Sequence, residues 1–367
     1  MTSLRLLADD LTGALDTAAE LVGLTGPVHA FWHGAIPPVL PANAALDSGT
    51  RELDEARTTD VVTALTPALA QAEIAYKKID SLLRGPTLAE AAACLRAGHW
   101  ACAVLAPAFP YQRRVTRGGV QHVQDHAGRW SPVGGDIAAR LRAAGVPAQP
   151  GRLDTTLPPG ISVFDAETDA DLRRIAALGR AAPKPVLWIG TGGLAQALAD
   201  QEPPDLPPLR PPLLGLFGSD QPATAAQLAA CGSDWLRLRD GGQGEVAAVS
   251  ARLRDGRAVA SLDLPHGLTR DAAARHIAAE LHRLVRELPP PGTLLVAGGE
   301  TLRGLCLSLG ARSLEIQGRI EPGLPCSVLR GGAWDGVTVV SKSGAFGPPT
   351  LLRDLLHGTL TAIERTV

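Results

Sequence analysis

The sequence predicts an α/β protein of two domains, each with a mainly parallel sheet flanked by helices. Its 367 residues exceed what one hydrophobic core usually serves. Apolar segments of strand length alternate with helical patterns along nearly the whole chain, which is typical of parallel sheets built from alternating strands and helices. The predicted strands span residues 4–8, 73–79, 101–106, 161–164, 186–189, 213–217, 258–262, 294–297 and 337–340.

A proline-rich segment divides these elements into two groups. Six of the twelve residues 201–212, QEPPDLPPLRPP, are proline. Proline fixes its own backbone angle and lacks an N–H donor, so this segment cannot continue a helix or join a central strand. The sequence therefore predicts a first domain over 1–202, a linker over 203–212 and a second domain over 213–367.

The composition excludes several classes of function. A formal net charge of −2 gives no field that would hold a nucleic-acid backbone or an anionic membrane. The five cysteines are scattered and show no C-x-x-C spacing, so no metal site is predicted. Because the chain starts directly in a strand and no apolar segment approaches 18 residues, we expect a cytoplasmic protein with reduced thiols.

The segment 4–17, LRLLADDLTGALDT, contains the first candidate site. Asp9 and Asp10 directly follow a predicted strand, and ligands of open α/β sheets bind at the carboxyl ends of strands. One interpretation is that Asp10 or Thr12 only caps the next helix. A cap needs one side-chain oxygen, whereas this turn also offers Asp16 one helical turn later, and we favour a functional interpretation.

The segment 76–86, YKKIDSLLRGP, is a second candidate site at a strand end. Lys78 and Arg84 are cations that could hold a carboxylate, and Asp80 and Ser81 could bind hydroxyl groups. This combination suits a small polyhydroxylated acid. Only four of the 35 basic residues are lysine, and two of these lie in this segment. The alternative is a solvated strand end with an internal ion pair.

Glycine-rich turns follow three predicted strands of the second half. Glycine lets backbone N–H groups approach phosphate oxygens, and the N-terminus of the next helix favours an anion. Such turns predict a site for a nucleotide triphosphate, whereas tight connections that simply need glycine are the alternative. The candidate residues are Ser219 after Gly218, then Gly298, Gly299, Glu300 and Thr301, and finally Lys342 and Gly344.

Together these segments resemble the four-carbon acid sugar kinase family, and the resemblance spans most of the chain. Members of that family use ATP to phosphorylate acids such as threonate, erythronate and 3-oxo-tetronate. The matching motifs in the first half are LADDLTGALD at 7–16, DSGTR at 47–51, YKKIDSLLRG at 76–85 and APAFP at 106–110, and those in the second half are GS at 218–219, GGET at 298–301, EPGLP at 321–325 and KSGAFG at 342–347.

The resemblance implies an acid-sugar-binding N-terminal domain, a nucleotide-binding C-terminal domain and a reaction in the cleft between them. The implied substrate-binding residues are Asp9, Asp10, Asp47, Arg51, Lys78, Asp80, Ser81 and Arg84. The implied ATP-binding residues are those of the three glycine-rich turns. The chain departs from the family pattern by reading Arg113-Arg114-Val115 where Gly-Arg-Thr is usual, and at 220–222, where a serine-rich segment is usual.

For a kinase of this type, one carboxylate near the acceptor hydroxyl should accept its proton, and Asp10 or Asp9 is the candidate. Arg84 and Lys78 would hold the acid carboxylate. Mg²⁺ would be held largely by phosphate and water. The 4-hydroxyl is the expected acceptor, the particular four-carbon acid is open, and a homodimer is one alternative for the oligomeric state.

Two other functions compete with this interpretation. Gly190, Gly192 and Ala195 match the G-x-G-x-x-A form of the dinucleotide fingerprint, which would favour an NAD-dependent oxidoreductase. That fingerprint needs an acidic residue about twenty positions later, where the proline-rich segment stands instead. A non-catalytic sensor of a sugar acid or nucleotide is the third alternative.

Overall fold

A computed structural model describes residues 2–125, 127–201, 203–218, 221–265 and 267–359. The chain divides into two compact units, Met1–Pro204 and Asp205–Val367. The predicted α/β class with mainly parallel sheets is confirmed, and a strand covers most of each of the nine predicted segments. Leu206 and Leu209 of the proline-rich segment pack against the core of the second unit.

The described part of the first unit contains eleven strands and six α-helices. The strands are β1 (Leu4–Ala8), β2 (Val28–Phe31), β3 (Ala44–Asp47), β4 (Ile74–Lys78), β5 (Cys102–Ala106), β6 (Arg114–Arg117), β7 (Val120–Gln124), β8 (Trp130–Val133), β9 (Ala148–Pro150), β10 (Ile161–Val163) and β11 (Val186–Gly190). The helices are α1 (Leu11–Thr25), α2 (Glu55–Leu69), α3 (Thr87–Ala97), α4 (Ile137–Ala143), α5 (Asp169–Ala181) and α6 (Gly192–Ala199).

The large sheet of this unit has the order β2-β3-β1-β4-β11-β5-β10-β9, and every pair in it is parallel. Leu7 and Ile189 face a core that includes residues of α2 and α3. Trp188 points to the opposite face and lies against Gly179 of α5. Because both faces are covered, most residues of these strands are apolar. Strands β6, β7 and β8 form a separate antiparallel sheet.

The described part of the second unit contains seven strands and five α-helices. The strands are β12 (Leu213–Phe217), β13 (Trp235–Leu238), β14 (Arg257–Leu262), β15 (Thr293–Ala297), β16 (Ser313–Glu321), β17 (Leu324–Arg330) and β18 (Thr338–Lys342). The helices are α7 (Pro222–Ala230), α8 (Gln243–Arg254), α9 (Arg270–Glu287), α10 (Gly299–Ser308) and α11 (Leu351–His357). Their strand order is β13-β14-β12-β15-β18-β17-β16.

Neighbouring strands bring the glycine-rich turns of this unit together. Strands β12, β15 and β18 are adjacent and parallel, with Phe217 opposite Ala297 and Ala297 opposite Lys342. Their carboxyl ends therefore lie at one edge of the sheet. The antiparallel pairs β16–β17 and β17–β18 are the exceptions to the parallel arrangement of this unit's described strands.

The backbone conformation at Arg113 favours glycine, which is the usual residue at this position of the family pattern. Arg113 follows the short 3₁₀ helix Pro110–Gln112 and adopts φ 56° and ψ 46°, in the left-handed region. Its backbone N–H donates to Pro110 O at 2.8 Å, and Gln124 N–H donates to its carbonyl at 3.0 Å. Glycine adopts this conformation without strain, so the arginine occupies a position at which the backbone favours glycine.

We predict that Arg113→Gly stabilises the protein. Relief of left-handed strain is worth about 1–2 kcal/mol, and the greater freedom of glycine in the unfolded chain offsets about 0.5–1 kcal/mol of it. The free energy of unfolding in urea should rise by the difference. Arg173→Gly is the matched control, because Arg173 is an exposed arginine inside helix α5 and glycine there should destabilise. Equal destabilisation by both variants would contradict this account.

Candidate active site

The carboxyl ends of β1, β3 and β4 meet at a guanidinium group. Arg51, which follows β3, donates through Nε to Asp9 Oδ2 at 2.7 Å and through Nη1 to Asp10 Oδ2 at 2.8 Å. Its Nη2 lies 3.4 Å from Asp80 Oδ2, beyond the end of β4. One cation thus joins three carboxylates that the parallel sheet places side by side. The structure brings four of the predicted substrate-binding residues into one cluster.

The charge state of these carboxylates follows from their cationic neighbours. Asp9 and Asp80 are 2% and 3% exposed. Burial by itself would raise the pKa of Asp9, but Arg51, Lys78 and Lys77 outweigh it and lower the pKa. The pKa of Asp80 is also lowered, because the hydrogen bonds from Arg84 and the nearby cations outweigh its burial. Both groups are therefore ionised near neutral pH.

Asp10 is the N-cap of helix α1. Its Oδ1 accepts a hydrogen bond from Gly13 N–H at 2.8 Å, and its Oδ2 accepts one from Thr12 Oγ1 at 2.8 Å. The capping interpretation is therefore correct as a description of its contacts. Its ion pair with Arg51 places it in the charged cluster as well.

The ammonium group of Lys78 lies in this region without a protein partner in the described part of the chain. Its Nζ has no hydrogen-bond or ion-pair partner among the described residues, although the residue is 7% exposed. A Cβ added to Gly13 would come within 3.0 Å of this Nζ, so the missing side chain at Gly13 leaves room beside it. An ammonium without a protein partner is available to hydrogen-bond an anionic or hydroxyl-bearing ligand.

The remaining predicted substrate-binding residues have protein partners. Arg84 donates through Nη2 to Asp80 Oδ2 at 2.6 Å, and Ser81 Oγ accepts a short hydrogen bond from Arg114 Nη1. Asp47 lies 3.5 Å from the Nδ1 atom of His33, and burial raises the pKa of this carboxylate.

Two residues of this region had no assigned role in the sequence-based prediction. Arg114 reaches Ser81 from the small antiparallel sheet, and the arginine of the family's Gly-Arg-Thr pattern was the available signal. Asp16 lies near Lys78 and Arg114, and its position one turn after the Asp9-Asp10 pair was the signal there.

A buried ion pair lies beneath the cluster. Lys77 Nζ is 3.1 Å from Glu90 Oε2, and both side chains are essentially inaccessible to solvent. Thr50 Oγ1 donates a short hydrogen bond to Glu90, and Lys77 also donates to the Lys78 carbonyl at 3.0 Å. Burial would lower the pKa of Lys77, but the negative charges of Glu90 and, to a smaller extent, Asp9 raise it. The pair connects α3 to β4 directly below the candidate substrate site.

In the second unit, the glycine-rich turns converge as their strands do. A Cβ added to Gly218 would lie 3.0 Å from Thr301 Oγ1 and 2.6 Å from Ile277 Cγ2. Gly298 has φ 93° and begins helix α10 without a side-chain cap, and its N–H donates to the Lys342 carbonyl at 2.9 Å. The first N–H groups of α10 thus have no side-chain acceptor at the N-cap.

Lys342 lies buried inside the last of these turns. Its Nζ is near Thr224 Oγ1 at 3.2 Å and the carbonyl oxygens of Ser343, Gly344 and Phe346 at 3.0, 3.4 and 3.2 Å. Burial lowers its pKa to about 8. These contacts show the ammonium ordering the turn, and direct contact with a phosphate stays a prediction.

Two other predicted nucleotide-binding residues are Glu300 and Ser219. Glu300 is exposed and accepts from Arg303 Nη2 at 2.9 Å. Ser219 lies outside the described residues.

Close packing accounts for the apparent dinucleotide fingerprint. Gly190 ends β11 and Gly192 begins α6. A Cβ added to Gly190 would approach Ala106 O to 2.9 Å, and one on Gly192 would approach the ring of Phe109 to 3.1 Å. The glycines allow α6 to pack against β5 and the chain that follows it.

Comparison with known proteins decides the family. Residues 4–148 match the model of a sugar-binding N-terminal domain, and residues 219–352 match that of a nucleotide-binding C-terminal domain. A D-threonate kinase of Bordetella bronchiseptica is 31% identical over 95% of this chain and 95% of that protein. The chain belongs to the four-carbon acid sugar kinase family.

Further comparisons agree with this assignment. A D-threonate kinase of Cupriavidus necator is 33% identical, with 76% of this chain and 78% of that protein covered. A crystal structure from Salmonella typhimurium LT2 has a TM-score of 0.73 at 21% identity, covering 96% of this chain and 98% of that one, and it supports the fold. The named relatives support a kinase rather than an oxidoreductase.

Within the described ranges, no group of three or more His, Cys, Asp or Glu side chains could hold a metal ion. In the same part of the chain, no helix combines the length and apolar character that crossing a bilayer requires. All five cysteines are buried free thiols.

We predict that Lys77→Met destabilises the protein strongly, because it leaves Glu90 buried without its counter-ion. The loss of unfolding free energy should be about 3 kcal/mol or more in urea denaturation. Lys184→Met is the control, since Lys184 is exposed and its replacement should change stability by no more than about 0.5 kcal/mol. Similar stabilities of the two variants would show that the buried pair is not needed.

Proposed function

We propose that this protein is an ATP-dependent kinase that phosphorylates a hydroxyl group of a four-carbon sugar acid, with the 4-hydroxyl as acceptor. The observation that supports it most is the cluster of cations, carboxylates and a serine hydroxyl at the carboxyl edge of the first sheet. D-Threonate is the first candidate substrate, because the curated relatives are named for it. Erythronate and 3-oxo-tetronate are the other candidates.

The substrate would bind in the first unit. Lys78 has an unpaired ammonium and Arg84 is partly exposed, so these two would hold the acid carboxylate. Ser81 and Asp80 would contact its hydroxyl groups. In this proposal Asp47 and Arg51 are further polar residues of the substrate site. Arg51 holds the carboxylates of Asp9 and Asp10 in place.

Asp9 and Asp10 are proposed as site residues that orient the substrate through this charge network. The sequence predicts one of them as the proton acceptor, but their contacts favour a positioning role. Both already accept hydrogen bonds from Arg51. Burial would raise the pKa of Asp9, but Arg51 and the nearby lysines lower it, so its carboxylate is a weaker base than a free one.

The nucleotide would bind in the second unit. Gly298 and Gly299 open helix α10 with no side-chain cap, which leaves backbone N–H groups that fit phosphate oxygens. Glu300, Thr301 and Gly344 would line the same site, and Ser219 and Lys342 stay predicted members of it. Mg²⁺, which fits phosphate and water ligands, would neutralise charge on the phosphates when bound.

The division of labour follows from the chemistry. Phosphoryl transfer needs positioning and charge stabilisation more than covalent participation by the protein. The first unit would orient the acceptor hydroxyl, and the second would hold the phosphates. A cytoplasmic location and a homodimer stay predictions.

The test is an ATP-consumption assay with Mg²⁺ and separate four-carbon acids. D-Threonate, or another acid of the panel, should give ADP and a phosphorylated acid in equal amounts, and phosphorus NMR should place the phosphate on the 4-hydroxyl. Binding of an acid without turnover would favour a sensor instead. Reduction of NAD with the same acids, without use of ATP, would favour the oxidoreductase.

A pair of glycine variants tests where the nucleotide binds. Gly299→Val should raise the KM for ATP at least tenfold more than that for the acid, because a side chain would block the backbone from the phosphates. Gly304→Val is the matched control in the same helix, because a Cβ there meets nothing within 4 Å. An unchanged KM for ATP in well-folded Gly299→Val would contradict this placement.

A further inference from the structure

Asp16 differs from the other carboxylates around the candidate substrate site. It lies in the second turn of helix α1 and is only partly buried. It has no hydrogen-bond or ion-pair partner among the described residues. Asp9 and Asp10 accept from Arg51, and Asp80 accepts from Arg84. Asp16 thus keeps its lone pairs available for a ligand.

The surroundings of Asp16 place it in the same site as Lys78. Gly13 and Asp16 are three residues apart and therefore lie on one face of α1, and the Lys78 ammonium lies against Gly13. On the other side, a Cβ added to Gly192 would lie 3.9 Å from Asp16 Oδ1 and 3.1 Å from the ring of Phe109. The carboxylate thus lies close to Gly192, in a region where the charge of Lys78 acts on it.

Charged and titratable groups face Asp16 from four segments of the first unit. Lys78 and Tyr76 belong to β4, Arg114 to β6, Asp10 to the end of β1 and Arg51 to the chain after β3. Two arginines and a lysine therefore surround two carboxylates. Such a setting can hold a polar ligand without a large net charge.

The protonation behaviour of Asp16 also sets it apart. Burial raises its pKa to about 6, assisted by Asp10 and opposed by Lys78, Arg114 and Arg51. The pKa values of Asp9 and Asp80 are lowered. A base works best when its pKa lies near the working pH, because it is then both deprotonated and able to take a proton.

We propose that Asp16 is the catalytic residue that accepts the proton of the acceptor hydroxyl during phosphoryl transfer. This inference rests on the proposed kinase function and names its base. The hydroxyl O–H bond breaks as the oxygen bonds to the γ-phosphorus, and the proton passes to an Asp16 carboxylate oxygen. The electron pair of the broken phosphoanhydride bond leaves with ADP. Lys78 balances the charge of the substrate beside it.

The test compares the wild-type enzyme with Asp16→Asn over pH 5 to 9, using D-threonate, ATP and Mg²⁺. The wild-type kcat should fall as the pH drops below about 6, because protonated Asp16 cannot accept a proton. Asp16→Asn should lower kcat by about 100-fold and lose this acidic limb. Calorimetry should show D-threonate affinity within threefold of wild type, because the amide can still hydrogen-bond the hydroxyl.

Two controls separate this role from a general effect on the cluster. Asp10→Asn should raise the KM for the acid and keep the acidic limb. Asp60→Asn, on the exposed face of α2, should change neither. A kcat of Asp16→Asn within threefold of wild type, or an unchanged acidic limb, would overturn the proposal while leaving the kinase function intact. Absence of ATP-dependent phosphorylation by the wild type would instead overturn the proposed function itself.

A measurement without substitution covers the case in which Asp16→Asn does not fold. Carbon NMR of the wild-type protein labelled at aspartate carboxyl carbons should show a group titrating near pH 6. Titration of every aspartate below pH 5 would overturn the proposal.

Discussion

The contact of Arg51 with three carboxylates is the constraint on which the candidate substrate site depends. Asp9, Asp10 and Asp80 follow two adjacent parallel strands and would repel one another at this distance without a cation. The guanidinium offers several donors in a fixed plane, which a lysine cannot reproduce. Through Asp10 the same contact also fixes the start of α1, so the charge network and the helix that contains Asp16 are positioned together.

The charged residues of the site are of two kinds: some have protein partners, and others are available to a ligand. The charges of the Lys77–Glu90 pair are satisfied within that pair, and those of Arg51 and its carboxylates within their own network. These contacts hold the strand ends in place. Lys78 and Asp16 have no such partners in the described part of the chain, and we infer that they meet the substrate. Preorganised charges of this kind stabilise a reaction without rearrangement at the moment it occurs. The second unit presents backbone N–H groups instead, which suits phosphates.

Sequence reasoning predicted the fold class and the strand ends, because apolar strands and glycine turns have strong local patterns. It could not predict the short strands β2 and β3, which have only four residues each, nor the antiparallel sheet with Arg114. The sequence also could not predict that Asp10 both caps a helix and pairs with Arg51, since Arg51 lies 41 positions away. The free state of Asp16 depends on which partners its neighbours take, and only the folded arrangement defines that.

The most direct test of this account uses the scarcity of lysine, since the four lysines at 77, 78, 184 and 342 give four NMR signals in a protein labelled with [ε-¹³C]lysine. Each signal can be assigned by replacing one lysine with arginine. Saturating D-threonate without ATP should shift the Lys78 signal most and leave those of Lys184 and Lys342 in place. An unchanged Lys78 signal, with binding shown by calorimetry, would contradict the claim that this ammonium receives the acid.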